Sequence, residues 1–165
     1  MKHGKGPALA MCAALLTCLG ACSSSGSSGT GPSSGGEPTS GPAAAAVVKT
    51  RWLQVFDASI PIMRRLNLLQ NGQAFASFVR AQEKTTIGAL VLQASGTVSK
   101  VTVHPHGLAS VVYTMLLGGK PLEKNITGTA VYTGGSWKVA TTTFCGLLYL
   151  AYGKTSRQIP QACKG

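Results

Sequence analysis

Acidic residues are scarce in this chain of 165 residues. Only four are present, Glu37, Asp57, Glu83 and Glu123, against fifteen lysines and arginines, and the formal net charge is +11. No two of these acids lie within ten residues of each other. Carboxylate-pair glycosidases, carboxylate-rich calcium sites and two-metal nucleases all require clustered acids. The composition therefore argues against these three classes of protein.

A long hydrophobic run is also missing at the N-terminus. The apolar stretch Pro7–Ala21 is shorter than the ~20 residues that span a bilayer, and it follows a basic start containing Lys2 and Lys5. This order is typical of a signal peptide. The stretch ends in Leu19-Gly20-Ala21-Cys22, which resembles the bacterial lipobox. We therefore predict a lipoprotein signal peptide over residues 1–21 and lipidation of Cys22, which would anchor the protein to the outer face of the cytoplasmic membrane. The alternative is an ordinary secretory signal in which the cysteine is incidental.

Aromatic and large aliphatic side chains are absent from Ser23–Ala46, which is dominated by Ser, Gly, Pro and Ala. Such a segment cannot bury enough apolar surface to offset the entropy of ordering. We predict that residues 22–46 comprise the lipidated cysteine and a flexible linker. A single folded domain is then expected over residues 47–165.

Cysteine is rare in this predicted domain. Cys12 and Cys18 lie in the predicted signal peptide and Cys22 is the predicted lipid site, so that Cys145 and Cys163 remain. An exported domain experiences an oxidising environment, in which disulfides persist. We therefore predict a disulfide between the two. A metal pair or a reactive thiol is the alternative, but no histidine or acid lies near either cysteine in the sequence.

Apolar periodicity divides the predicted domain into a helical half and a strand half. Spacings of three and four residues predict helices at the start of this domain, whereas alternation and Gly-containing turns predict strands after Ser95. The stretch Thr85–Gln93 is compatible with either structure. The predicted helices are Val48–Ser59, Ile60–Gln70, Phe75–Gln82 and a short closing helix, Phe144–Tyr152, and the predicted strands are Thr97–Val103, Leu108–Leu117, Leu122–Thr133 and Ser136–Thr143.

A hairpin gives the most specific prediction within the sheet. A two-residue turn at Gly134-Gly135 pairs Tyr132 with Trp137 and aligns the apolar residues on one face. The alternation of apolar and polar residues is less regular in the first predicted strand, where Val98 falls on the opposite face from Val101. Helices followed by an antiparallel meander and a closing helix predict an α+β fold.

Several motifs in this half resemble a known family. They are Asn125-Ile126-Thr127, the Thr133–Val139 stretch TGGSWKV, and Phe144–Leu148, together with Leu68–Gly72 and Ser95–Val103 upstream. They are similar to the secreted low-molecular-weight mycobacterial antigen family over about residues 47–151. The resemblance implies a domain like nuclear transport factor 2, in which N-terminal helices pack over a curved, four-stranded antiparallel sheet to form a cone. It also implies an exported actinobacterial protein, and the family itself has no established activity.

Relatives with this fold include isomerases, dehydratases and epoxide hydrolases that place acidic, His or Tyr side chains inside the cone. On this basis Asp57, Tyr113, Tyr132 and Trp137 are candidate pocket-lining residues, and Asp57 is the candidate carboxylate of an isomerase or dehydratase. Capping of a helix end by Asp57 and ordinary core packing of the aromatic residues are the alternatives. Because a fold does not establish an activity, we predict no catalytic residue and no enzyme.

No cofactor or metal site is predicted. The two imidazoles of His104-Pro105-His106 are too few ligands for a typical metal site, and a polar hairpin turn is the favoured interpretation of this segment. Gly153-Lys154-Thr155 resembles the end of a phosphate-binding loop, but the required earlier glycine is replaced by Leu148.

Basic charge is the remaining feature of the sequence. Without Lys2 and Lys5 the net charge falls from +11 to +9, and the basic residues are spread along the chain without an aromatic platform, so that nucleic acid is not expected as a partner. We predict a membrane-anchored extracytoplasmic protein whose domain binds a ligand or partner without catalysis, for example an apolar small molecule. A basic module that associates with anionic envelope polymers is the first alternative, and the Asp57-dependent enzyme is the second.

Overall fold

The computed structural model describes residues 36–164. The predicted signal peptide, Cys22 and most of the predicted linker lie outside the described residues. The helices are α1 (Gly41–Val55), α2 (Ile62–Leu66), α3 (Ala76–Gln82), α4 (Thr86–Leu92) and α5 (Thr141–Tyr152). The strands are β1 (Ser95–His104), β2 (Leu108–Leu117), β3 (Lys120–Thr133) and β4 (Ser136–Val139).

The four strands form one antiparallel sheet in the order β1-β2-β3-β4. At the β3–β4 hairpin, Tyr132 pairs with Trp137, as the sequence predicts. The turn glycines, Gly134 and Gly135, have φ values of +60° and +79°. Positive φ at both positions gives a turn whose twist matches that of the strands it connects. With helices preceding the sheet and α5 following it, the predicted α+β fold is confirmed.

A bulge in β1 explains the irregular alternation of that strand. Val98 pairs with Tyr113 and Lys100 pairs with Val112, so Ser99 is an additional residue on the β1 side. An inserted residue changes the phase of side-chain alternation. Val98 and the later valines of β1 are accordingly all half-buried.

The first helix begins earlier than the sequence predicts, at Gly41 rather than at Val48. Pro42 lies in the first turn, where its missing N–H costs nothing, and the alanines that follow have the highest helix propensity. Ala44 is fully buried. The alanine run is therefore the start of α1.

Residues just before α1 are attached to the hairpin. The Glu37 carboxylate accepts a hydrogen bond from the backbone N–H of Trp137 at 2.8 Å, and it also pairs with the Arg51 guanidinium. The carbonyl of Pro38 accepts a hydrogen bond from the Trp137 indole N–H at 2.9 Å. These contacts fix the N-terminal end of α1 beside β4.

Trp52 joins α1 to the sheet. Its indole packs over Gly128, where a Cβ atom would lie only 2.5 Å from the Trp52 Cη2 atom. It also contacts Tyr113 edge to face, with the ring centroids 5.0 Å apart. Only glycine permits this close approach of the indole to β3. The core between α1 and the sheet is thus filled by aromatic side chains.

The second helix is shorter than predicted and ends at Leu66 instead of Gln70. The chain beyond it pairs with the end of β4, because Val139 N–H donates to the Leu68 carbonyl at 2.9 Å and Gln70 N–H donates to the Val139 carbonyl at 2.8 Å. These long-range bonds replace the local helical ones. The predicted helix boundary is wrong for that reason.

The last strand is also shorter than predicted, and it ends at Val139 rather than Thr143. Thr141 donates its hydroxyl to the carbonyl of Gln70 at 2.8 Å, and the Thr143 hydroxyl accepts from the backbone N–H of Thr129 at 2.8 Å. These threonines therefore start α5 and attach it to the sheet.

The ambiguous stretch Thr85–Gln93 forms helix α4. The Thr85 hydroxyl caps it by accepting from the Gly88 N–H at 2.9 Å. A Cβ atom on Gly88 would lie 2.2 Å from the carbonyl oxygen of Gln82, so the glycine allows α3 and α4 to approach closely. Together α2, α3 and α4 form a layer beside one end of the sheet.

Candidate ligand-binding cavity

An apolar cavity of about 110 Å³ lies among α2, α3, α4, α5 and the adjoining ends of β2 and β3. Its lining is almost entirely hydrophobic. The apolar lining residues are Val55, Phe56, Ile62, Leu66, Leu69, Phe78, Val79, Val91, Leu92, Ala94, Met115, Leu117, Leu122, Phe144, Leu147, Leu148, Leu150 and Ala151. Concave sites with such a lining are the usual binding sites for apolar ligands.

The size and opening of the cavity limit what it can hold. A volume of about 110 Å³ is well above the ~10–15 Å³ needed for one water and below the ~300 Å³ of sites for drug-sized ligands. Leu122 and Leu150 line the cavity yet are 58% and 57% exposed, so the cavity opens to the surface between them. It suits part of a single acyl chain or one small ring.

Arg65 is the charged residue in the cavity wall. Its side chain is only 8% exposed. The guanidinium donates to the carbonyl of Leu92 at 3.1 and 3.2 Å and to that of Val55 at 3.4 Å. Burial lowers the pKa of Arg65, whereas the charges of Asp57 and Glu83 act in the opposite direction. An arginine nevertheless keeps its charge in a protein, so the wall carries a buried cation.

Two further polar residues, Gln82 and Tyr152, lie in the same wall. The Tyr152 hydroxyl donates to the Gln82 side-chain oxygen at 3.0 Å, and the Thr85 hydroxyl contacts the same oxygen at 3.3 Å. Burial raises the pKa of the Tyr152 phenol, which therefore stays neutral at physiological pH. These hydrogen bonds pair the polar side chains with one another, and they connect α3 to α5.

Asp57 lies outside the cavity, contrary to its predicted role as a pocket carboxylate. The carboxylate is exposed to solvent and accepts hydrogen bonds from the Ser59 N–H at 2.9 Å and the Ser59 hydroxyl at 2.6 Å. These two bonds lower the pKa of Asp57. A pocket acid needs the opposite shift. The turn between α1 and α2 favours this local bonding, which is the helix-end alternative considered from the sequence.

The three candidate aromatic residues also lie outside the cavity. Tyr113 is 1% exposed and packs between Trp52 and Phe56, and burial raises its pKa to about 12. Tyr132 and Trp137 pack edge to face with ring centroids 5.6 Å apart. Tyr132 instead borders a more open surface groove beside the β1–β2 turn. Aromatic side chains between α1 and the sheet serve as core because Gly128 lets the two layers close on one another.

The His104-Pro105-His106 segment forms the β1–β2 turn. His104 contacts the Ser110 hydroxyl at 2.9 Å, while His106 adopts a left-handed backbone conformation with φ of +62°. Among residues 36–164, no group of three or more potential metal ligands comes together.

Cys145 and Cys163 form a disulfide at the positions that the cysteine count predicts, with their Cα atoms 5.5 Å apart. The bond holds the C-terminal segment against α5. Within this segment, the Cys163 carbonyl accepts a hydrogen bond from the Tyr149 hydroxyl, and Ile159 is 2% exposed. Helix α5 supplies five cavity-lining residues (Phe144, Leu147, Leu148, Leu150 and Ala151) besides Tyr152. The disulfide therefore supports one wall of the cavity.

The sequence predicted a pocket for an apolar small molecule but missed its position and the presence of Arg65 in its wall. The sequence did indicate that Arg65 is buried, because Arg65 lies three residues after Ile62 and one before Leu66, on the apolar stripe of α2. The neighbouring Arg64 is exposed. The cavity itself depends on how four separate helices meet the sheet, and local patterns do not encode that arrangement.

The described residues contain no helix that is both long and apolar enough to cross a membrane.

A search of the curated proteins finds no match. The family model for the C-terminal domain of low molecular weight antigen MTB12 matches residues 41–155. This range begins where α1 begins and covers the sheet and the cavity-lining helices. The chain therefore belongs to the low molecular weight antigen family, through a C-terminal domain of the MTB12 type.

Proposed function

We propose that this protein is an extracytoplasmic lipoprotein whose domain binds an apolar small molecule in the α2–α5 cavity without catalysis. The observation that carries the proposal is the cavity itself, which is apolar, opens to the surface and is closed on one side by a disulfide-supported helix. Membership of an antigen family supports an exported protein.

The binding part of the proposal is tested with a neutral single-chain probe. 1-Octanol is titrated into the purified protein, and binding is followed by calorimetry. We expect saturable binding at one site per chain, because the cavity accepts one aliphatic segment. Unsaturable uptake, or no uptake below the solubility limit of octanol, would contradict a binding function for this cavity.

The anchor is tested by detergent phase partitioning of the protein made in an actinobacterial host. The unchanged chain is expected in the detergent phase and the Cys22→Ala variant in the aqueous phase, since acyl chains contribute about 0.8 kcal/mol per buried methylene. Cys18→Ala is the matched control, because it makes the same substitution within the predicted signal peptide and should leave partitioning unchanged. Retention of Cys22→Ala in the detergent phase, with unchanged processing, would exclude lipidation at this position.

Association with anionic envelope components is a second candidate function. It is favoured by the charge distribution, because the described part of the chain contains one ion pair, Arg51–Glu37, and thirteen basic residues. Lys120 and Lys124 are exposed and flank Leu122 at the cavity opening. Unpaired surface cations attract anionic headgroups and are screened by salt.

This candidate is tested by sedimentation with phosphatidylglycerol vesicles at low and high salt, using the Cys22→Ala variant so that no acyl anchor contributes. Binding should fall as salt rises, and a Lys120→Gln/Lys124→Gln double change should weaken it more than Lys154→Gln/Lys164→Gln does. Salt-independent binding, or equal effects of the two pairs, would argue against this function.

A further inference from the structure

Exposed hydrophobic side chains are concentrated around the opening of the cavity. Four of the five large ones within residues 36–164 are each at least 50% exposed and belong to the elements that frame the cavity. Leu122 and Leu150 line the cavity itself. Ile87 lies one turn before the cavity-lining Val91 on the same face of α4, and Leu90 follows Ile87 by three residues. We call Ile87, Leu90, Leu122 and Leu150 the rim.

The two helices that carry most of the rim contain no charged residue. Neither α4, with the sequence TIGALVL, nor α5, with the sequence TTTFCGLLYLAY, includes Lys, Arg, Asp or Glu. A helix at a water-facing surface normally places charged residues opposite its apolar stripe. The bond from the Tyr152 hydroxyl to Gln82, which Thr85 also contacts, holds the end of α5 beside the start of α4. Together these helices therefore present an uncharged surface at the opening.

Basic side chains border this uncharged surface. Four exposed cations each lie two residues from Gln82 or Leu122 of the cavity wall, and they are Arg80, Lys84, Lys120 and Lys124. Two exposed acids, Glu83 and Glu123, lie in the same segments, so the cations are in excess. An apolar surface bordered by Lys and Arg is typical of proteins that lie on anionic membranes, because the cations reach the headgroups while the apolar side chains enter the acyl boundary.

The proposed anchor at Cys22 would keep this surface close to a bilayer. Residues 22–35 precede the described chain, and a segment of that length spans at most about 50 Å. A tether of limited reach raises the effective concentration of the domain at the membrane. A weak contact between the rim and lipid would then be sufficient to orient the domain.

We propose that the rim docks on an anionic lipid bilayer, so that the cavity opens into the acyl region of the outer leaflet. This inference rests on the apolar-binding function proposed above and names the surface from which the ligand enters. It also adds an apolar contact to the charge attraction considered as the second candidate function. An acyl chain or another membrane-dissolved apolar molecule could then enter the cavity without crossing water.

The first experiment locates the membrane contact. The Cys22→Ala variant, which has no acyl anchor, is mixed with phosphatidylglycerol nanodiscs that carry a spin label on the acyl chains. The methyl resonances of Leu122 and Leu150 should broaden strongly, whereas that of Leu108, a partly exposed leucine outside the rim, should not. Phosphatidylcholine nanodiscs should produce much less broadening. Equal broadening at Leu108, or equal broadening by the two lipids, would overturn the proposal.

The second experiment measures the apolar contribution by sedimentation of the Cys22→Ala variant with phosphatidylglycerol vesicles. Adding Leu122→Gln and Leu150→Gln should weaken binding by about 10- to 100-fold, because two half-exposed leucines lose their burial in lipid. Leu108→Gln is the matched control and should change binding by less than about twofold. Equal effects of the rim pair and the control would overturn insertion of the rim, since headgroup attraction alone would then explain binding.

Octanol binding separates this inference from the cavity function. If octanol binds but the rim resonances stay sharp with nanodiscs, membrane docking is overturned and the cavity function stands. If the rim resonances broaden but octanol does not bind, the cavity function is overturned and docking stands. A lipid-free dimer that the Leu122→Gln/Leu150→Gln change dissociates in analytical ultracentrifugation would also overturn docking, because a second copy of the chain would then cover the rim.

Discussion

Filling the cavity from within should stabilise the protein and weaken ligand binding. Unfilled core volume costs ~24 cal/mol per Å³, so a cavity of about 110 Å³ costs about 2.6 kcal/mol relative to a filled one. Ala94 lines the cavity and is 7% exposed. Ala94→Leu adds three carbons, each contributing about 0.8 kcal/mol when buried. Because the cavity is partly open, we expect a net gain of about 1–2 kcal/mol in the free energy of unfolding.

The gain is measured by urea denaturation followed by circular dichroism, with the dependence on urea checked for a constant slope. Octanol binding is measured on the same variant and should weaken by at least about tenfold, equivalent to ~1.4 kcal/mol. Ala81→Leu, on the exposed face of α3, is the control and should change neither quantity appreciably. A variant at position 94 that binds octanol as well as the unchanged protein would refute the location of the site, whatever its stability.

Three further predictions concern the framework around the cavity. Cys163→Ala should lower the free energy of unfolding by about 3 kcal/mol, because the disulfide spans a sequence separation of 18 residues. The unchanged protein under reducing conditions should show the same loss, and an unaffected stability would contradict a structural role for the bond. Gly128→Ala should destabilise by about 1–3 kcal/mol, since its Cβ would lie 2.5 Å from Trp52, whereas Gly146→Ala meets no atom within 4 Å and should be neutral or stabilising. The pKa of Tyr113 is raised to about 12, above the ~10 of an unfolded chain, so its neutral phenol contributes stability that is fully present below pH ~10 and lost as pH rises through about 12. Alkaline unfolding of Tyr113→Phe should show a shallower loss over this range, and an identical pH profile would contradict the assignment.

Strands and turns of this protein were predictable because their determinants are local. Gly134 and Gly135 permit a two-residue hairpin, and the apolar alternation around Tyr132 and Trp137 allows only one register. In the sequence, the Ser99 bulge showed only as an irregular alternation of apolar and polar residues. The pairing of β1 with β2 was needed to identify it as a bulge. The strand half of the fold therefore follows largely from short-range patterns.

Helix boundaries were less predictable because distant contacts decide them. Leu68 and Gln70 lie at the end of the predicted second helix, yet their backbone groups bind Val139 from β4. At the other end, the Ala-rich start of α1 resembles a linker in composition but is held in place through Glu37 and Trp137. In both cases a bond between residues far apart in the chain overrides the local pattern.

The candidate site was the least predictable part. The sequence pointed to Asp57 because it is the one aspartate of the chain and follows an aromatic residue, but its side chain bonds to Ser59 two residues away. Arg65 follows another arginine, and composition alone does not distinguish a buried guanidinium from a solvated one. The apolar stripe of α2 indicated that Arg65 is buried. The cavity could not be predicted in the same way, because it depends on how α3, α4 and α5 pack.

Methyl spectra recorded during a titration with octanol test the cavity as a binding site most directly. Leu66 and Leu148 line the cavity and are buried, whereas Leu108 is 43% exposed and lies outside it. We expect saturable shifts of the Leu66 and Leu148 methyl resonances at one common affinity, with Leu108 unchanged. Equal shifts at Leu108, or unchanged resonances at Leu66 and Leu148, would contradict binding in this cavity.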